Sequence, residues 1–331
     1  MNTVYNPLAL LRQLAMKRTQ ILGKGPDLKS PDIHIAFGID SKYLPALGAC
    51  VNSIVRNNAG VQIQFHVITA SLPHRDAEQL AAFAEQHSLA VQLHILGGER
   101  LANIPVPKFR RFSSAIYNRL WICEILDGIA TRVLYLDADI ICLGNLMDIT
   151  RIRLDGKIVA AVAEIAQYEL KSDINLVTDE PYFNSGVLYI DVEKWNLNHV
   201  TQCVIKSLID NDGTYAYPDQ DALNKVLMGK VAFIDKRWNL FYSHFKPASD
   251  TVFLHYLNEK PWQVWSSNFG ETHFVSNIAE TPWANYADRK PVSKKQRIRH
   301  ARKLLGRWKL VEGLYWYALA LCTPKSAKSA T

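Results

Sequence analysis

The segment Arg132-Val133-Leu134-Tyr135-Leu136-Asp137-Ala138-Asp139-Ile140-Ile141 holds the strongest structural signal in this 331-residue chain. Val133–Leu136 is a continuous apolar run, the pattern of a strand buried on both faces of a sheet. It ends in two carboxylates at i and i+2. In extended backbone such side chains leave the same face, so Asp137 and Asp139 point together. Two acids that close repel each other unless a cation lies between them. Oxygen donors of this kind suit Mg2+ or Mn2+, which would also neutralise phosphate. The carboxyl end of a parallel strand is where open α/β sheets bind ligands. The plainer alternative is that one aspartate caps a turn and the other is solvated.

Outward from that segment the chain alternates between strand and helix patterns. The spacing predicts strands over Ile33–Ile39, Val61–Thr69 and Val91–Leu96, and helices over Tyr43–Arg56, His74–His87 and Ser114–Leu126, the last opened by serine. Downstream it predicts strands at Lys157–Ala163, Asn184–Val192, Val231–Ile234 and Val252–Tyr256, and helices at Val200–Asp210 and Asp219–Leu227. Residues 262–290 read as irregular and aromatic. This alternation argues for an α/β fold with a parallel sheet covered on both faces.

Composition narrows the function classes. Hydrophobic residues at 48% and charged residues at 21% exclude a disordered or fibrous chain. Neither GxxxxGK[ST] nor GxGxxG occurs, which disfavours a P-loop enzyme or a Rossmann dehydrogenase. No apolar stretch approaches the ~20 residues of a membrane span. Leu8–Leu14 is too short and mixed for a signal peptide. The five cysteines are scattered and lack CxxC spacing, as expected of reduced thiols in a cytosolic protein.

The net charge of +7 is concentrated at one end. Ten of the 38 lysines and arginines fall in residues 289–309, which hold no acid, so the remaining body is mildly acidic. An apolar, aromatic run follows: Leu310-Val311-Glu312-Gly313-Leu314-Tyr315-Trp316-Tyr317-Ala318-Leu319-Ala320-Leu321. A basic helix followed by a Trp/Tyr-rich one suits the headgroup layer of an anionic membrane. Without aromatic platforms or a recognition motif among the bases, no nucleic-acid partner is expected. The plainer alternative is a solvated helix followed by one packed on the body.

Four further motifs carry polar chemistry. Tyr182-Phe183-Asn184-Ser185-Gly186-Val187-Leu188 sets Asn-Ser-Gly against an apolar strand, where either a bulge or a close ligand approach would account for the glycine. In Tyr217-Pro218-Asp219-Gln220-Asp221-Ala222-Leu223-Asn224, Asp219 suits a helix N-cap, and Gln220 and Asp221 add more polar groups than a cap needs. His255-Tyr256 ends an apolar run and Lys260-Pro261-Trp262 follows, so an imidazole and an ammonium could reach a metal and a phosphate. Asp40 ends the first strand, before Tyr43, and would cap the next helix or meet a nucleoside.

Taken in order, these pieces resemble the retaining glycosyltransferases of family 8, most closely the lipopolysaccharide core glucosyl- and galactosyltransferases of Gram-negative bacteria. The matching segments are Ala36-Phe37-Gly38-Ile39-Asp40, Tyr117-Asn118-Arg119-Leu120, Leu134-Tyr135-Leu136-Asp137-Ala138-Asp139, Phe183-Asn184-Ser185-Gly186-Val187, Pro218-Asp219-Gln220-Asp221 and Lys260-Pro261-Trp262. The resemblance spans roughly residues 32–320. It implies a GT-A type fold, with a nucleotide-binding, mostly parallel central sheet flanked by helices. It also implies UDP-glucose or UDP-galactose as donor, with Mn2+ or Mg2+. By the same resemblance Asp137, Asp139 and His255 would be metal ligands, Asp40 would meet the uracil, and Arg119 would lie near the sugar. Asn184 and Asp219 would hold the donor sugar, Gln220 would face the anomeric carbon, and Lys260 would meet the diphosphate.

The chain departs from the family's His-x-x-Gly-x-x-Lys-Pro-Trp: His255-Tyr256-Leu257-Asn258-Glu259-Lys260 is one residue shorter and lacks the glycine. Ser41 and Lys42 replace positions that are often Asp or Asn.

The expected organisation is an N-terminal extension over residues 1–31, the GT-A domain over 32–270 and a basic, aromatic docking region over 271–331. The expected reaction is same-face attack by the acceptor hydroxyl, with the UDP oxygen taking the proton. Asp221 is the alternative, as nucleophile of a double displacement. The expected partners are a lipid-linked core oligosaccharide and the anionic inner membrane, met from its cytoplasmic face. Two other readings of the residues are a phosphotransferase using Asp137 as nucleophile, and a non-catalytic, membrane-docking sugar-nucleotide scaffold.

Overall fold

The computed structural model describes residues 16–23, 28–97, 101, 104–107, 113–165, 167–176, 178–241, 246–257, 260–266, 270–286 and 290–322. The segment Leu8–Leu14 and the loop residues Asn258 and Glu259 lie outside them, as does Arg289 of the basic cluster.

An eight-stranded sheet forms the centre. Its strands are β1 (Met16–Leu22), β2 (Ile33–Gly38), β3 (Ile63–Thr69), β4 (Ala90–Leu96), β5 (Arg132–Leu136), β7 (Val159–Ala161), β8 (Val187–Asp191) and β9 (Val231–Phe233), in the order β1-β4-β3-β2-β5-β8-β7-β9. β4, β3, β2 and β5 run parallel, as does the β7–β9 pair. β8 runs antiparallel to both β5 and β7, and β1 antiparallel to β4. The sheet is therefore mixed, where alternation alone suggested uniformly parallel strands. A second, two-stranded sheet pairs β6 (Ile140–Cys142) with β10 (Phe253–His255).

β5 shows why its sequence is apolar without interruption. Leu134 and Leu136 enter the core on one side of the sheet, and Val133 and Tyr135 enter the core on the other. The first core is closed by α1 (Leu44–Asn57) and α2 (His74–Gln86). The second holds α6 (Val200–Asp210) and α7 (Pro218–Val226). α1 carries Pro45 in its first turn, where the missing N–H costs nothing.

Several local expectations change. Ser114–Leu126 begins as a 3-10 helix over Ser114–Trp121, capped by the Ser113 hydroxyl, and continues as the short α3 (Ile122–Ile125). The strand expected from Asn184 starts at Val187, so Gly186 lies in the turn before it rather than inside it. Residues 262–290 contain α8 (Glu271–Ile278), whose Phe274 and Ile278 pack into the first core. α4 (Gln167–Asp173), α5 (Val192–Leu197) and β6 had no periodic signal long enough to read. The chain ends, among the described residues, with α9 (Lys294–Gly306) packed against α10 (Leu310–Leu321). Ser293 and Gln296 form a capping box on α9.

Candidate active site

Asp137 is the first residue beyond β5, and its N–H donates to Gly186 O at 2.8 Å. The turn Asn184-Ser185-Gly186 therefore faces the turn Asp137-Ala138-Asp139. β10 supplies the third side chain. His255 is in register with Ile140, and Tyr256 N–H donates to Asp139 O at 3.1 Å. Pairing of β6 with β10 thus sets the imidazole beside the carboxylates. His255 Nε2 lies 3.2 Å from Asp139 Oδ1 and 3.6 Å from Asp137 Oδ2. One ligand atom from each of Asp137, Asp139 and His255 can be chosen so that all lie within 4.8 Å of one another. The three could hold a metal ion, and the two carboxylates are donors of the kind that suit Mn2+ or Mg2+.

Gly186 is required by a close approach of the chain's own side chains, which neither reading of its motif named. A Cβ there would stand 2.2 Å from His255 Cε1 and 2.9 Å from Asp137 Oδ2. The imidazole and carboxylate occupy the space that any other residue would need.

Lys260 donates its ammonium to Asp139 Oδ2 and to Tyr256 O, the latter at 2.5 Å. Burial works against the ionised form of Asp139, but Lys260 and His255 outweigh it and hold the carboxyl well below the usual range.

Arg119 joins the carboxylate pair to the polar helix entry. From the 3-10 helix, its Nη2 donates to Asp137 Oδ1 at 2.9 Å and its Nε lies 3.1 Å from Asp219 Oδ2. Nη1 donates to Ser185 O and Oγ, and the guanidinium stacks 4.7 Å from the Tyr135 ring centroid. The Tyr135 hydroxyl donates to the same Asp137 oxygen. Burial pushes the Asp219 carboxyl up, and the Arg119 guanidinium opposes that push.

Of the two readings open for Asp219, the structure excludes the N-cap. Tyr217 holds the cap position without a side-chain bond, Pro218 opens α7, and Asp219 turns to Arg119. Gln220 Oε1 accepts from Ser185 N–H at 2.9 Å, fixing the neutral amide against the Asn184 turn. Both oxygens of Asp221 are engaged. One accepts the Tyr182 hydroxyl at 2.5 Å and the other accepts Tyr217 N–H at 2.9 Å, so Asp221 braces the entry of α7. Burial raises its pKa above the ordinary carboxyl value. Asn184 lies inside the site, with its amide donating to Glu164 Oε1 at 2.8 Å. Asp40 does the capping work, accepting from Lys42 N–H at 3.0 Å. It also lies close enough to Tyr43, with Asp137 and Asp139, to raise that phenol's pKa, although burial is the larger cause.

The sequence thus located Asp137, Asp139, His255, Arg119, Asp219, Gln220, Asn184 and Lys260, and the fold brings these eight together. It did not single out Tyr135, Ser185, Glu164 or Asn239, which hold the others in place. Tyr135 and Ser185 lay inside quoted motifs. Glu164 and Asn239 had no local signal, since only pairing across distant segments gives them a role.

Comparison with known proteins bears on this arrangement. Residues 34–266 match the model described as Glycosyl transferase family 8. The chain is 28% identical over 307 residues to the lipopolysaccharide 1,2-glucosyltransferase of Escherichia coli strain K12, covering 88% of this chain and 90% of that protein. It is 28% identical over 301 residues to the lipopolysaccharide 1,3-galactosyltransferase of Salmonella typhimurium, covering 86% and 89%. Among solved structures, the galactosyltransferase LgtC in complex with donor and acceptor sugar analogs superposes with a TM-score of 0.68 at 22% identity, over 77% of this chain and all of that one. That likeness establishes the GT-A type architecture.

Proposed function

The chain belongs to glycosyl transferase family 8, and from that premise we propose that it is a retaining, metal-dependent hexosyltransferase moving glucose or galactose from a UDP-sugar to a lipopolysaccharide core oligosaccharide. The observation that carries this reading is the convergence of Asp137, Asp139 and His255 on one point, with Arg119 linking Asp137 to Asp219. The likeness to lipopolysaccharide glucosyl- and galactosyltransferases supports the substrate class.

Asp137, Asp139 and His255 would hold the divalent cation, which when bound supplies positive charge to a departing diphosphate. The remaining steps belong to the chain's own side chains. Lys260 brings a second, fixed positive charge to the leaving group. Asp219, held by Arg119, and Asn184 orient the donor sugar. Gln220 faces the anomeric centre as a neutral amide, with its oxygen on Ser185 N–H. Asp221 is occupied at both oxygens as a brace, which favours same-face attack by the acceptor hydroxyl over a double displacement. Asp40 and Tyr43 border the site on the side of β2, where the nucleoside would lie.

The tail supports a place at the membrane surface. No described helix is long and apolar enough to cross a bilayer. Trp308 and Val311 are 86% and 83% exposed beside the bases of α9, a pairing of apolar and cationic groups that suits an anionic lipid surface. The proposed location is the cytoplasmic face of the inner membrane, where a lipid-linked core acceptor would be met.

The test is release of UDP from UDP-glucose and UDP-galactose by the purified chain, with and without Mn2+. Dependence on the cation, and its loss in Asp139→Ala with the fold intact, is expected. Full activity of Asp139→Ala would overturn the assignment.

A further inference from the structure

His255 has two ring nitrogens, and which one carries the proton decides whether a lone pair faces the carboxylates. The hydrogen-bond chain behind the ring answers this from the backbone outward. Gly186 N–H lies 3.0 Å from Asn184 Oδ1, and a backbone N–H can only donate. The Asn184 atom there is therefore the carbonyl oxygen, an orientation reinforced by its Nδ2, which donates to Glu164 Oε1. Asn239 approaches the same Asn184 oxygen at 2.8 Å and must offer its NH2. That turns Asn239 Oδ1 to His255 Nδ1, at 3.0 Å. An amide oxygen only accepts, so Nδ1 carries the hydrogen. Nε2 is then the ring nitrogen that faces Asp137 and Asp139.

The fold holds this chain rigidly. Asn239 is fully buried. Its neighbour Leu240 is fixed to β10 from both sides, donating from its N–H to Phe253 O at 2.9 Å and accepting from His255 N–H at 2.8 Å. The Asn184 end is fixed by its own N–H, which donates to Val162 O at 2.9 Å. Neither amide can flip without opposing two donors or two acceptors in a buried place, which is costly.

We infer that Asn239 is a positioning residue: relayed through Asn184 from the Gly186 backbone, it holds a hydrogen on His255 Nδ1 and so aims Nε2 into the carboxylate pair. That Nδ1 carries a hydrogen follows from the hydrogen bonds alone. Its use, as a ligand atom for a divalent cation, rests on the reading under Proposed function. Partners behind a ligating imidazole generally matter, their loss costing about 10–100-fold in metal affinity.

The test uses the full, metal-free chain with 15N-labelled histidine. The His255 signals are assigned by their loss in His255→Gln. Long-range 15N–1H spectra are expected to show hydrogen on Nδ1 in the wild type, and a ring with hydrogen on Nε2 alone would overturn the inference. Asn239→Leu removes the acceptor and is expected to move the proton to Nε2, where Asp139 accepts it. Mn2+ affinity, followed by electron paramagnetic resonance, should then weaken about 10–100-fold. Retention of the Nδ1–H form in Asn239→Leu would overturn the role of Asn239. Asn239→Asp keeps an oxygen opposite Nδ1 and is expected to restore the wild-type tautomer; an Nε2–H ring there would count against the inference, and this variant decides the matter should Asn239→Leu fail to fold. A wild-type chain with the expected tautomer that binds no Mn2+ would leave the assignment standing and sink the cation site instead.

Discussion

Lys260 rests its ammonium on Asp139, the same carboxylate whose other oxygen lies 3.2 Å from His255 Nε2. One internal cation thus already engages a group that an external cation would need. Lys260 also donates to Tyr256 O and Leu257 O. Lys260→Met should therefore have effects of opposite sign. Mn2+ should bind the nucleotide-free protein more tightly, by about tenfold or ~1.4 kcal/mol, because Asp139 no longer exchanges one cation for another. UDP should bind more weakly, because the diphosphate loses a positive partner. Calorimetric titration of each ligand separates the two effects.

Arg119 and Asp137 illustrate a different dependence. The guanidinium reaches Asp137, Asp219 and Ser185 with separate nitrogens, which a single ammonium on a flexible stem would not reproduce. Arg119→Lys should lower kcat about a hundredfold, equivalent to ~2.7 kcal/mol. Arg119→Met should also destabilise the fold by about 3–5 kcal/mol, because it leaves the buried Asp219 without its ion pair. Steady-state kinetics and thermal unfolding check the two statements.

Gly186→Ala tests the packing of the centre directly. Its new methyl would overlap His255 Cε1 and press on Asp137. Mn2+ binding should fall by at least tenfold, with a loss of about 1–3 kcal/mol in stability, the usual cost of overpacking. A variant that binds Mn2+ normally would mean that the imidazole lies elsewhere in solution.

A row of three imidazoles crosses β2, β3 and β4 away from the site. His34 Nδ1 lies 3.0 Å from His66 Nε2, and His66 Nδ1 lies 3.1 Å from His94 Nε2. Burial lowers His34 and His66 from their ordinary value and pushes His94 down to about 4. An unfolded histidine titrates near 6.5 (about the model-peptide value). Between those limits the unfolded chain binds more protons than the folded one, so stability declines as pH falls through that window and is flat above it. Tm should drop from pH 7.5 to pH 5, and His94→Gln should reduce the slope.

The exposed apolar residues of the tail predict their own phenotype. Trp308→Ser, Val311→Ser and Leu314→Ser together should lower binding to phosphatidylglycerol vesicles several-fold while leaving UDP-sugar hydrolysis unchanged. Unaltered sedimentation with such vesicles would remove the membrane role of this surface. Raised salt should weaken what binding remains, since exposed charges are screened.

Much of this arrangement was legible in the chain itself, for a physical reason. The β5 segment is buried on both faces, so its sequence is apolar throughout, and the carboxylates beyond it stand out against that background. The reversed direction of β8 was not legible, because a buried strand reads alike in either direction. β6 was too short to show a period. Asn239 and Glu164 were invisible because their partners lie on other elements and become neighbours only when β10, β7 and the Asn184 turn meet. Asp219 stayed open between cap and site because its position on α7 suits either task; only the approach of Arg119 decides between them.

The antiparallel pairing of β6 with β10 has a consequence for biogenesis. A ribosome delivers both carboxylates long before it releases the strand bearing the imidazole, and contacts so distant along a polymer are slow to close. A nascent chain halted ahead of residue 252 therefore carries both acids and lacks their nitrogen partner. Tight cation capture should begin only once synthesis has passed that strand, making Mn2+ uptake by stalled intermediates a clock for maturation.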